Sequence, residues 1–130
     1  MVKRGFSLIE LLIVIAIIAI LTAIATASYS TMQKKARDNR RISDMKAIQN
    51  GFEQYFADNT SSYPVSLPCF LGVTYFPNDF PTDPKPGWSY SYYCNGSTYC
   101  VCAKLEVESG NRQTDCGGVV GKFYCVSERQ

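Results

Sequence analysis

The residues whose types and spacing invite chemistry are few. They are six cysteines, Cys69, Cys94, Cys100, Cys102, Cys116 and Cys125, a scatter of carboxylates in the C-terminal half, and one glutamate, Glu10, at the head of an apolar run. The 130 residues contain no histidine. An imidazole base, a proton shuttle and a histidine metal ligand are therefore excluded, and with them Ser-His, Cys-His and His-zinc chemistry. The cysteines form no C-x-x-C pair, and Cys100-Val101-Cys102 is a poor zinc spacing, so disulfides are expected in a small exported domain. Cys69 is placed to tether a proline-rich stretch to Cys94, Cys100 or Cys102, and the pairing stays open among them. Asp79, Asp83, Glu106, Glu108 and Asp115 offer the oxygen donors that calcium takes, but without regular ligand spacing. No cofactor is expected, calcium being the alternative. No nucleophile, base or metal constellation emerges, so an enzyme is not expected.

The elements that hold these residues divide the chain sharply. Met1–Gly5 is a basic leader, and Leu11 to Gln33 then runs for 23 residues without a charge. At ~1.5 Å per residue, some 20 such residues cross a bilayer core. A carboxylate at the head of that run is costly in lipid unless it is interfacial or paired, and a helix N-terminus also tolerates it through the macrodipole. From Phe6 to about Ala57 there is no proline and one glycine, Gly51. Ile42, Met45, Ile48, Phe52, Tyr55 and Phe56 recur at helical spacing, an apolar stripe on the second half. A single helix of about 50 residues, ~75 Å long, is expected, stopped by Asp58-Asn59-Thr60-Ser61-Ser62 and Tyr63-Pro64.

Beyond it, all six prolines fall between Pro64 and Pro86, a long loop. Trp88 to Cys94, the turn signal Asn95-Gly96, and Thr98 to Val107 predict a β-hairpin, with a third strand over Gly121 to Ser127. Tyr99, Val101, Ala103, Leu105 and Val107 share the face assigned to the helix, leaving Cys100, Cys102, Lys104 and Glu106 on the other. The tyrosines of Tyr90 to Tyr99 are read as sheet packing and outer surface, with an adhesive surface as the alternative. Lys34 to Lys46 carries six cations against Asp38 and Asp44, which reads as a solvated helix face, a lipid-headgroup contact or a source of intersubunit salt bridges. DNA binding is the lesser reading, because no aromatic is interleaved there. Asn59-Thr-Ser and Asn95-Gly-Ser match the glycosylation sequon.

Gly5-Phe6-Ser7-Leu8-Ile9-Glu10, behind the basic leader and ahead of the apolar run, resembles the prepilin processing motif of type IV pilins and type II secretion pseudopilins. That resemblance implies cleavage by a prepilin peptidase between Gly5 and Phe6 and N-methylation of Phe6. It also implies polymerisation through the apolar helix, with Glu10 setting axial register by pairing with the Phe6 amine of a neighbouring subunit. The segment from Ala36 to Asp44, with Ile48, Tyr55-Phe56 and Tyr63-Pro64, resembles small pilin-like proteins more weakly. The Cys116–Cys125 pair, enclosing Gly117-Gly118, resembles the C-terminal disulfide-bounded loop of many pilins and is the favoured bridge. Some pseudopilins of this layout carry calcium. The apolar half departs from many pilins in lacking a helix-breaking proline.

The expectation is an α+β, pilin-like, ladle-shaped chain: a leader over 1–5, a membrane and filament-core helix over 6–33, and a globular head over 34–130. A structural subunit of a type IV pilus-like filament is expected. Its expected partners are identical or related subunits, a prepilin peptidase, an assembly-platform membrane protein, and membrane lipids before assembly. It would pass from single-pass inner-membrane protein to surface or periplasmic filament. One alternative is a pseudopilin driving protein export. Another is a small secreted or tethered disulfide-rich binding domain, released at Ala25-Thr26-Ala27 before Ser28 or held by a simple span. The cations after the span argue for the opposite orientation by the positive-inside rule, and the motif is preferred over that rule.

Overall fold

The computed structural model describes residues 5–65, 69, 75–76 and 79–129, apart from the side chain of Ala27. The leader residues Met1–Arg4 and much of the expected proline-rich loop, including Pro68 and Pro77, lie outside the described residues. The chain divides into two units, Met1–Gln33 and Lys34–Gln130.

One helix, α1, runs from Leu8 to Asp58, within two residues of the expected bounds. It is the one helix among the described residues long and apolar enough to cross a membrane. In the first unit its large apolar side chains, from Leu8 through Ile24, are all exposed. Nothing within that unit can bury them, because a lone helix has no second layer to pack on. The helix ends where Thr60 and Ser61 adopt left-handed backbone, at φ 52° and 56°. The Ser61 amide donates to the Phe56 carbonyl at 3.1 Å, the six-to-one closure that satisfies a terminal carbonyl.

The second unit packs the remainder of α1 on a four-stranded antiparallel sheet of β1 (Ser91–Cys94), β2 (Tyr99–Lys104), β3 (Arg112–Thr114) and β4 (Val120–Ser127). The strand order is β1-β2-β4-β3. Met45, Ile48 and Phe52 from the helix share one buried cluster with Tyr99, Val101, Ala103 and Val126 from the sheet. Phe52 stacks on Tyr99 with ring centroids 4.4 Å apart. The α+β fold and the face chosen for β2 are thus as read from the alternation of that strand.

Three details differ from the sequence expectation. Both hairpin strands are shorter, and β2 ends early because the amides of Glu106, Val107 and Glu108 donate to the Asp38 carboxylate on α1 and leave the ladder. The short strand β3 is an addition. Arg112-Gln113-Thr114 shows no apolar alternation, and its place beside β4 is set by Asn111, whose side-chain amide pairs with both the N–H and the C=O of Cys125. Gly110, at φ 68°, makes that approach possible, since a Cβ there would collide with the Phe123 carbonyl.

The third difference is the disulfide pairing. The bridges are Cys69–Cys94, Cys100–Cys116 and Cys102–Cys125, which replaces the favoured Cys116–Cys125 pair. Strand register is the reason. Cys102 lies directly opposite Cys125 in the β2–β4 ladder, with Cα atoms 4.1 Å apart, so Cys125 closes across the sheet. Cys116 reaches the neighbouring Cys100 instead. Cys102, Phe123 and Cys125 form a second buried cluster on the sheet face opposite the helix, with Cys100 and Cys116 packed against it. Each bridge is worth about 2–4 kcal/mol through its effect on the unfolded chain, a large share for a head this small.

Candidate functional site

At the N-terminal end, Gly5 and Phe6 precede the helix, and Phe6 is 86% exposed. The peptide between them therefore lies outside the helix and open to solvent rather than locked in helical hydrogen bonds. Ser7 stands at the N-cap: its carbonyl accepts from the Leu11 amide at 3.3 Å. Glu10, three residues on, accepts a hydrogen bond from the Ser7 backbone amide at 3.0 Å. Ser-x-x-Glu is the capping-box arrangement, in which the third helical residue reaches back to satisfy an orphan donor. This contact was missed in reading the sequence, although the signal was present as Ser7-Leu8-Ile9-Glu10. It gives Glu10 a partner within its own chain, beside the favourable end of the helix dipole.

The most highly organised polar site lies in the second unit. Arg41 is fully buried, and its guanidinium is bound on three sides. Nε and Nη2 donate in parallel to the two Asp83 oxygens, both at 2.8 Å. Nη1 donates to Asp38 at 2.8 Å and to Glu106 at 3.0 Å. Glu106 in turn takes a two-point contact from Arg37, at 2.7 and 2.9 Å, and lies 3.5 Å from the Lys85 ammonium. Three cations meet three carboxylates, so the cluster is neutral. Trp88 caps it, with Arg41, Lys85 and Lys104 each within 5.2 Å of the ring centroid, a cation–π arrangement.

Protonation follows this geometry. Hydrogen bonds from Arg37 hold the Glu106 carboxyl down at about 2, against the opposing effect of its burial. Burial also opposes ionisation of Asp38, and the amides of Glu106, Val107 and Glu108 together with Arg41 outweigh it, so its carboxyl titrates below the ordinary range. Elsewhere in the core, burial and the Glu53 carboxylate push the Tyr63 phenol up to about 12. Tyr63 and Tyr99 both donate to Glu53.

These contacts revise the reading of the basic stretch as a solvated face. Lys34, Lys35, Arg40 and Lys46 are exposed, but Arg41 is buried and Arg37 is held by Glu106. Asp38, Arg41, Met45, Ile48 and Phe52 form the fully buried stripe. Spacing alone reveals it: the steps of three and four from Phe52 through Met45, continued backward, land on Arg41 and Asp38. Charge obscured it, because an arginine and an aspartate are ordinarily counted as surface.

The other candidates are dispersed. Asp83 and Glu106 are committed to Arg41, and Asp115 accepts from the amides of Gly117 and Val119 in its own turn. Asp79 is exposed on left-handed backbone at φ 65°, and Glu108 is only half-buried. The structure does not bring these five together. Of the hairpin tyrosines, Tyr90 and Tyr99 are buried, Tyr92 packs on the core, and Tyr93 is exposed. Tyr90, Tyr92 and Tyr99 are packing residues and Tyr93 is outer surface, as read. Asn59, in the first sequon, spends its side-chain amide on the Tyr55 carbonyl and the Tyr75 hydroxyl.

Comparison with known proteins concentrates on the N-terminal half. Residues 1–26 match the family described as the prokaryotic N-terminal methylation motif. The chain is 33% identical over 64 residues to the type II secretion system core protein G of Escherichia coli (strain K12), across 49% of this chain and 43% of that protein. It is 38% identical over 56 residues to the type IV major pilin protein PilA of Myxococcus xanthus (strain DK1622), across 43% and 26%. A fimbrial protein of Pseudomonas aeruginosa is 41% identical over 51 residues, across 39% and 33%. The chain thus spans less than half the length of these curated relatives. No solved structure matches it.

Proposed function

We propose that the chain is a member of the type IV pilin and pseudopilin family and a structural subunit of a type IV pilus-like filament. It is inserted in the inner membrane as a prepilin, cleaved after Gly5 by a prepilin peptidase, N-methylated at Phe6, and polymerised through α1. One observation carries this reading: a single helix of 51 residues is apolar on every face and uncovered in its first half, yet sheet-covered in its second. Such a helix exchanges lipid for the helices of other copies without refolding its head. The work is packing, and no catalytic step is assigned to it.

In the filament, Glu10 is the register element. A carboxylate among packed apolar helices costs several kcal/mol unless paired, so only the axial offset that supplies a cation is permitted. An assembly-platform membrane protein and surrounding lipids are the partners before polymerisation. The retained basic charge after the span is smaller than the sequence implies, since Arg37 and Arg41 are neutralised inside the head. That lessens the conflict with the positive-inside rule.

A second reading is a pseudopilin that drives protein export from a periplasmic filament. It is favoured by the similarity to type II secretion core proteins G. Intact-mass and N-terminal sequencing of the mature protein tests the shared premise. A methylated Phe6 is expected, whereas Ser28 at the N-terminus would replace both readings with simple secretion. Electron microscopy of sheared surface filaments then separates pilus from export device.

A further inference from the structure

On the sheet face away from the helix, two disulfides lie against each other. The Cys102 Sγ is 3.3 Å from Cys116 Sγ and 3.7 Å from Cys100 Sγ, so the sulfurs of one bridge sit within contact distance of the other. The two bridges differ in access. Cys100 and Cys116 are only partly buried, whereas Cys102 is 1% and Cys125 8% exposed. A charged group completes the arrangement: the Arg112 guanidinium, itself exposed, lies 3.6 Å from Cys100 Sγ.

We propose that Cys100–Cys116 is a thiol-exchange site that accepts an external small thiol and passes the exchange inward to the buried Cys102–Cys125 bridge. The external thiolate attacks Cys116 Sγ, forming a mixed disulfide there, and the electron pair of the old bond leaves on Cys100. Arg112 favours that direction, because a cation beside sulfur stabilises the departing thiolate and better leaving groups depart faster. The Cys100 thiolate then attacks Cys102 Sγ. A Cys100–Cys102 bond forms, the Cys102–Cys125 bond breaks, and Cys125 leaves as a thiolate that takes a proton from water. One thiol is consumed, one is released, and the number of disulfides is conserved. Cys69–Cys94 is a bridge between other elements with both sulfurs buried, and it stays out of the exchange.

The full-length protein in detergent, treated with limiting reduced glutathione, quenched in acid and alkylated, gives the test by nonreducing tryptic mapping. The expected product carries glutathione on Cys116, an internal Cys100–Cys102 bond, and an alkylated Cys125 on the free peptide Phe123–Arg129. Arg112→Gln, at an exposed position, is expected to keep the three native bridges and slow release of Cys125 by about three- to tenfold. Recovery of Cys102–Cys125 intact beside an opened Cys100–Cys116 would overturn the relay. Glutathione on Cys100 with Cys116 joined to Cys102 would overturn its direction.

Discussion

Arg41 and Asp83, separated by 42 positions in sequence, meet through two parallel hydrogen bonds of 2.8 Å with both side chains out of solvent. The contact ties the middle of α1 to the proline-rich segment that leads into the sheet. Asp38, one helical turn earlier, ties the same helix to the segment after β2 through three backbone amides. Ion pairs buried this deeply are weak sources of net stability but are costly to break singly, because one removal strands an uncompensated charge. Their structural effect is to fix how the head's two irregular segments sit on the helix.

Arg41→Met is therefore expected to destabilise the head by about 3–5 kcal/mol. Adding Asp83→Asn is expected to cost far less than the sum of the two single changes, since the stranded charge is removed with its partner. Urea unfolding of residues within the full chain, followed by the near-ultraviolet signal, reads both. Additive losses would show that the pair acts as two independent contacts.

Acid is expected to loosen the same cluster. The folded Glu106 carboxyl is held at about 2 against an ordinary 4.5, and that of Asp38 is also lowered. Their contribution is complete above the ordinary carboxylate range and is lost as pH falls through the folded values, between about pH 5 and pH 2. Urea midpoints at pH 7, 4 and 2.5 check the slope. In Glu106→Gln the midpoint is expected to be lower at pH 7 and to change less on acidification.

Glu10 caps its helix and is proposed to set register in the filament, and one substitution pair separates the two roles. Glu10→Gln retains the capping-box hydrogen bond, because a glutamine oxygen accepts as a glutamate oxygen does, but it removes the charge. Glu10→Ala removes both. Membrane insertion is expected in both variants, with filament assembly impaired in both. Normal filaments from Glu10→Gln, counted by electron microscopy after shearing, would assign Glu10 to the helix cap alone.

Gly51 is the one glycine within α1, and the reason is spatial. A Cβ at that position would lie 2.5 Å from the Phe76 ring, which is buried in the core beside Phe80. Gly51→Leu is expected to destabilise the head by about 1–3 kcal/mol through overpacking. The thermal midpoint of the head reports this, and a neutral result would show that the Phe76 ring yields.

Much of this protein was written locally. The long helix, its apolar first half, the hairpin around Asn95-Gly96 and the inward face of β2 follow from periodicity and turn chemistry, which act between near neighbours. So does the motif at Gly5, Phe6 and Glu10, whose spacing is read directly along the chain. The tertiary structure decided what depends on distant partners. Cys125 faces Cys102 and not Cys116 because of a strand register that no cysteine spacing encodes. Arg41 is interior because Asp83 and Glu106 arrive from elsewhere to neutralise it. Without them the cost of desolvating a guanidinium would hold it at the surface, where its charge alone would place it.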